Sequence, residues 1–317
     1  MKKIIILGLA LCSMISCKKY DDSELWDAVN KLQADTVKEE NTQTVVAIEK
    51  GAIKAAFSVE EGKQVYFSMG NLQYNAGSNV WRFATNQWET IGEENENKTE
   101  DYSGWIDLFG WGTSGWNSGA LCYQPWSSSG NNADYYPGNS SENNLSGKFA
   151  NADWGVYNKI ANGGNEKGIW RTLSQKEWSY LIKSRTNASS KQGLANVNGI
   201  NGLIILPDEF TLPKGVSFNS GGYAGESYEV LYQTVNTYTL TQWIKMEEAG
   251  AVFLPAAGNY ASGKLQYFGI SGNYWSTTAK DDNYVYGLAF STNKIETTGS
   301  TTNRSPSRSV RLVQDVK

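Results

Sequence analysis

Ile169-Trp170-Arg171-Thr172-Leu173-Ser174-Gln175-Lys176-Glu177-Trp178 is the stretch on which the reading of this chain turns. Ser174 and Glu177 have the Ser-x-x-Glu spacing of a capping box. The hydroxyl takes an N–H of the first turn while the carboxylate returns to the cap's own N–H, so a helix is predicted from here to about Lys183. Upstream, Asp153 caps a predicted helix from Trp154 to Ala161, with Gly163 just beyond. Downstream, a third helix opens near Thr239 or Thr241, carries Trp243 and Met246, and stops at Gly250. The remaining apolar runs are short. Strands are predicted at Val65 to Phe67, Asn71 to Tyr74, Trp81 to Phe83, Leu203 to Leu206, Ala251 to Leu254, and in a final set from Tyr267 onward. Few helices and many short strands give an α+β domain.

Composition says how such a domain holds together. Twelve tryptophans and 18 tyrosines stand among 32 glycines. Ordering one residue costs about 1–2 kcal/mol of backbone entropy, whereas burying a large aromatic returns up to ~5 kcal/mol by area. Long irregular loops pinned by aromatic anchors are therefore expected, with most tryptophans in the core. Histidine is absent, which removes serine–histidine triads, histidine-bound zinc and imidazole acid–base chemistry.

The amino end reads differently. Lys2 and Lys3 precede an apolar run, Ile4 to Leu11, too short to span a bilayer, and Met14-Ile15-Ser16-Cys17 follows. This resembles a bacterial lipoprotein signal: residues 1–16 are the expected signal peptide, Cys17 the lipidated residue, and Ser16 the small residue before it. Loss of Lys2 and Lys3 leaves 26 of the 28 basic residues against 32 acidic ones, a formal charge of −6. Nucleic acid is excluded as a partner by that balance. Cys122 is then the only unmodified cysteine, expected as a small buried hydrophobe. Residues 17–50 are charged and nearly free of glycine, with Leu25, Val29 and Leu32 on one helical face. They are expected to form a lipid-anchored helical spacer, with weak self-association through residues 22–37. Asp21 and Asp22 resemble an acidic signal for the outer face, so the expected location is the outer membrane, exposed at the cell surface. Residues 51–317 contain no proline- or charge-rich linker and are read as one domain.

The decapeptide at 169–178 resembles the Trp-Arg-Leu-Pro-x-x-x-Glu-Trp motif of formylglycine-generating and sulfatase-modifying domains, which have a C-type-lectin-like fold. Further matches to bacterial surface relatives of that fold follow in order along the chain. They are Gly104-Trp105-Ile106-Asp107-Leu108-Phe109-Gly110-Trp111-Gly112, Trp154-Gly155-Val156-Tyr157, Ala251-Val252-Phe253-Leu254-Pro255-Ala256-Ala257-Gly258, Tyr274-Trp275-Ser276-Thr277-Thr278-Ala279 and Arg308-Ser309-Val310-Arg311-Leu312-Val313. The chain thus resembles the major paralogous domain of lectin-fold lipoproteins, a group that includes surface proteins diversified by retroelements. The resemblance implies a C-type-lectin-like fold with few short helices, many short strands and long irregular loops, behind an N-terminal helical spacer. It also implies that the segment between Tyr-Trp-Ser and Arg-Ser-Val-Arg, here 279–307, carries the binding surface.

In that segment Tyr284, Tyr286, Leu288 and Phe290 alternate with Val285, Gly287, Ala289 and Ser291. The bulky face is expected to enter the core and the small face to meet a partner. The candidate ligand-binding residues are Lys280, Asp281, Asp282, Tyr284, Gly287, Ala289, Ser291, Asn293, Lys294, Glu296, Thr298, Ser305 and Pro306, a vocabulary shared with antibody loops. The expected function is non-enzymatic binding of a protein or glycan, with no catalytic residue, metal or cofactor. Two other readings stand beside it. One is a glycan-directed enzyme or sulfatase-modifying accessory protein with Trp116, Trp126, Tyr135 and Tyr136 as a sugar platform; the other is an adhesin or structural subunit. No cysteine follows Cys122, so formylglycine-type oxidation lacks its reactive thiols. The acidic run Glu93, Glu94, Glu96, Glu100 and Asp101 lacks the alternation and turn glycine of a calcium loop.

Overall fold

A computed structural model describes residues 45–221, 232, 235–292, 294–297 and 301–317. Cys17, the 22–37 stripe, Asn293 and Thr298 lie outside the described residues. The described chain is mixed α+β, with few helices and many short strands in several sheets. The start of the described chain is tied to the rest: the Val46 N–H donates to the Glu248 carbonyl at 2.6 Å.

The first four-stranded sheet runs Phe57–Glu60, Lys63–Phe67, Leu312–Asp315, Arg171–Thr172, antiparallel throughout. The last strand of the chain is therefore interior to a sheet that its first residues begin. The second sheet orders Thr237–Tyr238, Gln192–Val197, Ile200–Ile205 and Val252–Pro255. In the third, Gly272–Ala279 pairs with Tyr284–Ser291, which carries Lys294–Glu296 at one end and Thr301–Asn303 at the other. A three-stranded sheet sets Leu72–Asn75 between Val80–Phe83 and Trp105–Ile106.

Among the described residues three large apolar clusters and a small one around Leu108, Ala257 and Tyr260 fill the interior, and the three large ones contain buried tryptophan. Trp81, Trp111, Trp154, Trp170, Trp178, Trp243 and Trp275 are all buried. Their indole N–H groups nail loops to the core: Trp111 donates to the Ser276 carbonyl at 2.9 Å, Trp170 to Gly163 at 2.7 Å and Trp275 to Phe109 at 2.7 Å. The 169–178 stretch works as a clip between two clusters. Trp170 packs edge-on to Phe83 in one, 4.7 Å between centroids, and Trp178 lies against Phe67 in the other.

The predicted helices exist with altered ends. Asp153 caps its helix through the Gly155 N–H, but the helix stops at Tyr157 because Ile160 and Ala161 are drawn into a bridge with Trp81. The capping box of Ser174 and Glu177 is formed; the α-helix Gln175–Ser179 then continues as a π-turn over Tyr180–Ser184. For the third helix Thr239 is the cap: it takes the Gln242 N–H while the Gln242 side chain returns to its own, and Leu240–Glu248 follows. Among the strands with no counterpart in the sequence reading are Phe57–Glu60 and Gln192–Val197. The second is buried along its whole length, so it shows no alternation to read.

Candidate functional site

The Tyr284–Ser291 strand corrects the expected division into a bulky core face and a small partner face. Leu288 and Phe290 are buried against Tyr274 and Phe67's cluster, as expected, but Tyr284 is 37% exposed and Tyr286 only half-buried. On the other face Val285 is fully buried beside Trp275 and Gly287 is buried too. The strand passes obliquely between two clusters. Each of its faces is covered over half its length, so period-2 alternation persists while burial changes side midway. Gly287 is small for a backbone reason: a Cβ there would stand 2.4 Å from the Tyr274 carbonyl oxygen on the paired strand.

The candidate residues fall into two groups. Lys280, Asp281, Asp282 and Tyr284 form an exposed turn, with half-buried Ser305 and Pro306 near it. Ala289, Ser291, Lys294 and Glu296 belong to the far end of the strand. Seven residue steps lead from Tyr284 to Ser291, roughly 23 Å at about 3.3 Å per residue. The Lys294–Glu296 pair, 3.2 Å apart, is therefore not part of the turn's surface.

The turn is rigid. The Asp281 carboxylate accepts the Asn283 and Tyr284 N–H groups at 3.0 and 2.9 Å, and Lys280 and Asp281 donate their own N–H groups to the Tyr284 carbonyl. A second loop is welded to it. Tyr136 donates its hydroxyl to the Asp282 carbonyl, Ser141 its hydroxyl to the Asp282 carboxylate, and Asn144 accepts the Ala279 N–H at 2.8 Å. Beneath both lies Arg304, with no solvent exposure. One of its terminal nitrogens donates to the carbonyls of Ser141, Asp281 and, more loosely, Tyr284, at 2.6, 2.8 and 3.4 Å. Its guanidinium is sandwiched between the rings of Trp111 and Tyr136 at 5.0 and 4.6 Å. Burial pushes its pKa below the ordinary arginine range, against the opposing pull of Tyr136, Asp281 and Asp282. The Asn132 side chain accepts the Arg304 and Ser305 N–H groups and holds that segment in place.

The sequence reading missed Arg304, Asn132, Ser141 and Asn144 as parts of this surface. The signal available was Arg304, Arg308 and Arg311 at spacings of four and three in a chain end otherwise read as strand and rim; all three are buried. Of the residues considered as a sugar platform, Tyr135 is buried and exchanges hydrogen bonds with the Ser129 backbone. Trp126 stacks on Tyr74 at 6.2 Å, and Trp116 leans on Phe149. Cys122 is half-buried rather than buried, and its surroundings raise the thiol pKa. In the acidic run, Glu96 accepts the Leu265 N–H and the Lys264 ammonium at 2.8 and 3.0 Å, which ties that run to the 259–266 hairpin. Among the described residues no group of three or more acidic, cysteine or histidine residues is placed to hold a metal ion. Among them, too, no helix is long and apolar enough to cross a membrane.

No protein-family model, curated protein or solved structure matches the chain.

Proposed function

We propose that this protein is a lipid-anchored binding protein of C-type-lectin-like type, displayed at the outer membrane. Its ligand face is built from the 280–284 turn, the 131–144 loop and Ser305–Pro306. The observation that carries the reading is the Arg304 clamp: a fully buried cation fixes two loops from below and leaves the Lys280, Asp281, Asp282 and Tyr284 side chains outside. A rigid base under exposed tyrosine, serine, asparagine and charged groups lowers the ordering cost of recognition. It also lets the outer side chains vary without touching the tryptophan packing. The ligand is a protein or a glycan, bound without catalysis, metal or cofactor.

Binding is tested with a glycan array and with surface proteins of neighbouring cells, each with and without chelator. Replacing Lys280 and Tyr284 by alanine is expected to remove the signal while the melting temperature moves by less than about 3 °C, since exposed substitutions stay within ~0.5 kcal/mol. A large fall in melting temperature, or binding that survives, defeats the assignment. The anchor is tested by fatty-acid labelling, which should reach the wild-type protein and not Cys17→Ala; protease shaving of intact cells then reports its orientation.

A further inference from the structure

A cleft of about 600 Å³ opens beside the capping-box helix, lined by Ser174, Lys176 and Glu177 of that helix and by Thr277 of the neighbouring strand. That volume lies in the range of small-molecule pockets, ~300–1,000 Å³. One wall is apolar: Val59, Leu145, Ala150 and Val156. The other is an ion chain in which Lys63, Glu177, Arg171 and Asp315 alternate in sign.

Counting hydrogen-bond capacity along the charged wall shows which groups remain open. Glu177 is full. It accepts Arg171 twice at 2.9 and 2.8 Å, Lys63 at 2.9 Å and the Ser174 N–H at 2.8 Å. Asp153, at the floor, accepts the Gly155 and Thr172 N–H groups and the Thr172 hydroxyl. Asp315 takes three contacts from Arg171, whose own donors are thereby committed, the remaining one going to the Thr172 carbonyl. The open capacity is on cations. Lys63 uses one of its three N–H groups, and Lys176, exposed on the first turn of the helix, has no partner among the described residues. Of the carboxylates, Glu60 and Asp315 keep acceptor capacity, and both are exposed where solvent and salt screen them. A guest that suits this cleft brings acceptors and no donors to the charged wall and an apolar surface to the other.

We infer that the cleft binds a small amphipathic anion, an apolar body bearing one carboxylate, sulfate or phosphate group. The anionic group sits against Lys63 and Lys176, and the body lies along Leu145, Ala150 and Val156. Arg171 holds the wall in place and does not touch the guest, because its donors are spent. This site is distinct from the ligand face and stands or falls independently of it.

The full chain is titrated with 1-anilinonaphthalene-8-sulfonate, an aromatic body with one sulfonate, and the bound dye is then competed with octanoate, octyl sulfate, octyl phosphate and octanol below their micellar concentrations. The expected result is one saturable site from which at least one anion displaces the dye at a concentration tenfold or more below that of octanol. The ranking of the three anions identifies the head group. Lys176→Glu, an exposed substitution, should weaken the best anion at least tenfold with the melting temperature unchanged, and Val156→Trp should close the site. Octanol competing as well as every anion, unchanged affinity in Lys176→Glu, or dye binding intact in a folded Val156→Trp variant each overturns the inference.

Discussion

Arg304 holds the 280–284 turn and the 131–144 loop from below, and its substitution tests how much of that packing depends on one buried cation. Arg304→Ala leaves the carbonyls of Ser141 and Asp281 without a donor and opens a void beside Trp111 and Tyr136. A loss of about 2–4 kcal/mol is expected from the cavity and unsatisfied acceptors, read by urea denaturation. Arg304→Met, which restores volume alone, should recover part of it. Lys98 is another buried cation. It donates to the Ser307 hydroxyl, lies over the Tyr260 ring at 4.4 Å, and has its pKa pushed down to about 7 by burial. An unfolded lysine titrates near 10.4, so between pH 7 and about 10 the unfolded chain binds the proton that the native one has shed. Stability therefore rises with pH across that window. Lys98→Met should stabilise most at pH 6 relative to wild type, and the gap should shrink steadily by pH 9; a gap independent of pH in denaturant titrations would show that Lys98 is not desolvated.

Among the elements, the capping-box helix and the Gly272–Ser291 hairpin make the sharpest demands. Glu177 serves at once as the third residue of the cap, partner of Arg171 and partner of Lys63. Burial alone would raise its pKa, but those cations and the Ser174 N–H bring it down to about 2. Its contribution is therefore present above the ordinary glutamate range and is lost as pH falls through about 2. Glu177→Gln should cost about 2–4 kcal/mol at pH 7, and much less at pH 2, where the wild-type carboxyl is itself losing its charge. Asp153 runs the other way. Burial raises it to about 6 despite the Thr172 and Gly155 hydrogen bonds, so its contribution is present below about 4 and declines as pH rises through 6. In the hairpin, Gly287→Ala should cost about 1–3 kcal/mol by forcing the Tyr274 backbone away. A Gly287→Ala protein that melts with the wild type would show that the strands are free to separate there.

At the scale of the whole molecule, closure depends on the final strand, since Leu312–Asp315 lies between Lys63–Phe67 and Arg171–Thr172. A chain ending at Arg311 should show no cooperative melting transition in calorimetry, because two strands of that sheet lose their partner. Much of the architecture was legible in the residues. The capping box at Ser174 and Glu177, the cap at Asp153, the aromatic anchors and the α+β class follow from local chemistry that acts within a few residues. The arrangement of the 280–291 segment was legible only in part. Lys280, Asp281 and Asp282 read as partner-facing and are exposed, whereas Tyr284 read as part of the core-facing side and is exposed, and Gly287 read as a contact residue when its smallness serves the Tyr274 backbone. Sequence alone determined where helices start and which residue types anchor the core, since capping and burial preference belong to single residues and their near neighbours. Only the tertiary structure decided which face of the Tyr284–Ser291 strand is covered at each end, that Arg304 clamps two loops, and that Lys63, Arg171, Glu177 and Asp315 form one wall. Each of those joins residues tens to hundreds of positions apart, and no local pattern records a contact made across that distance.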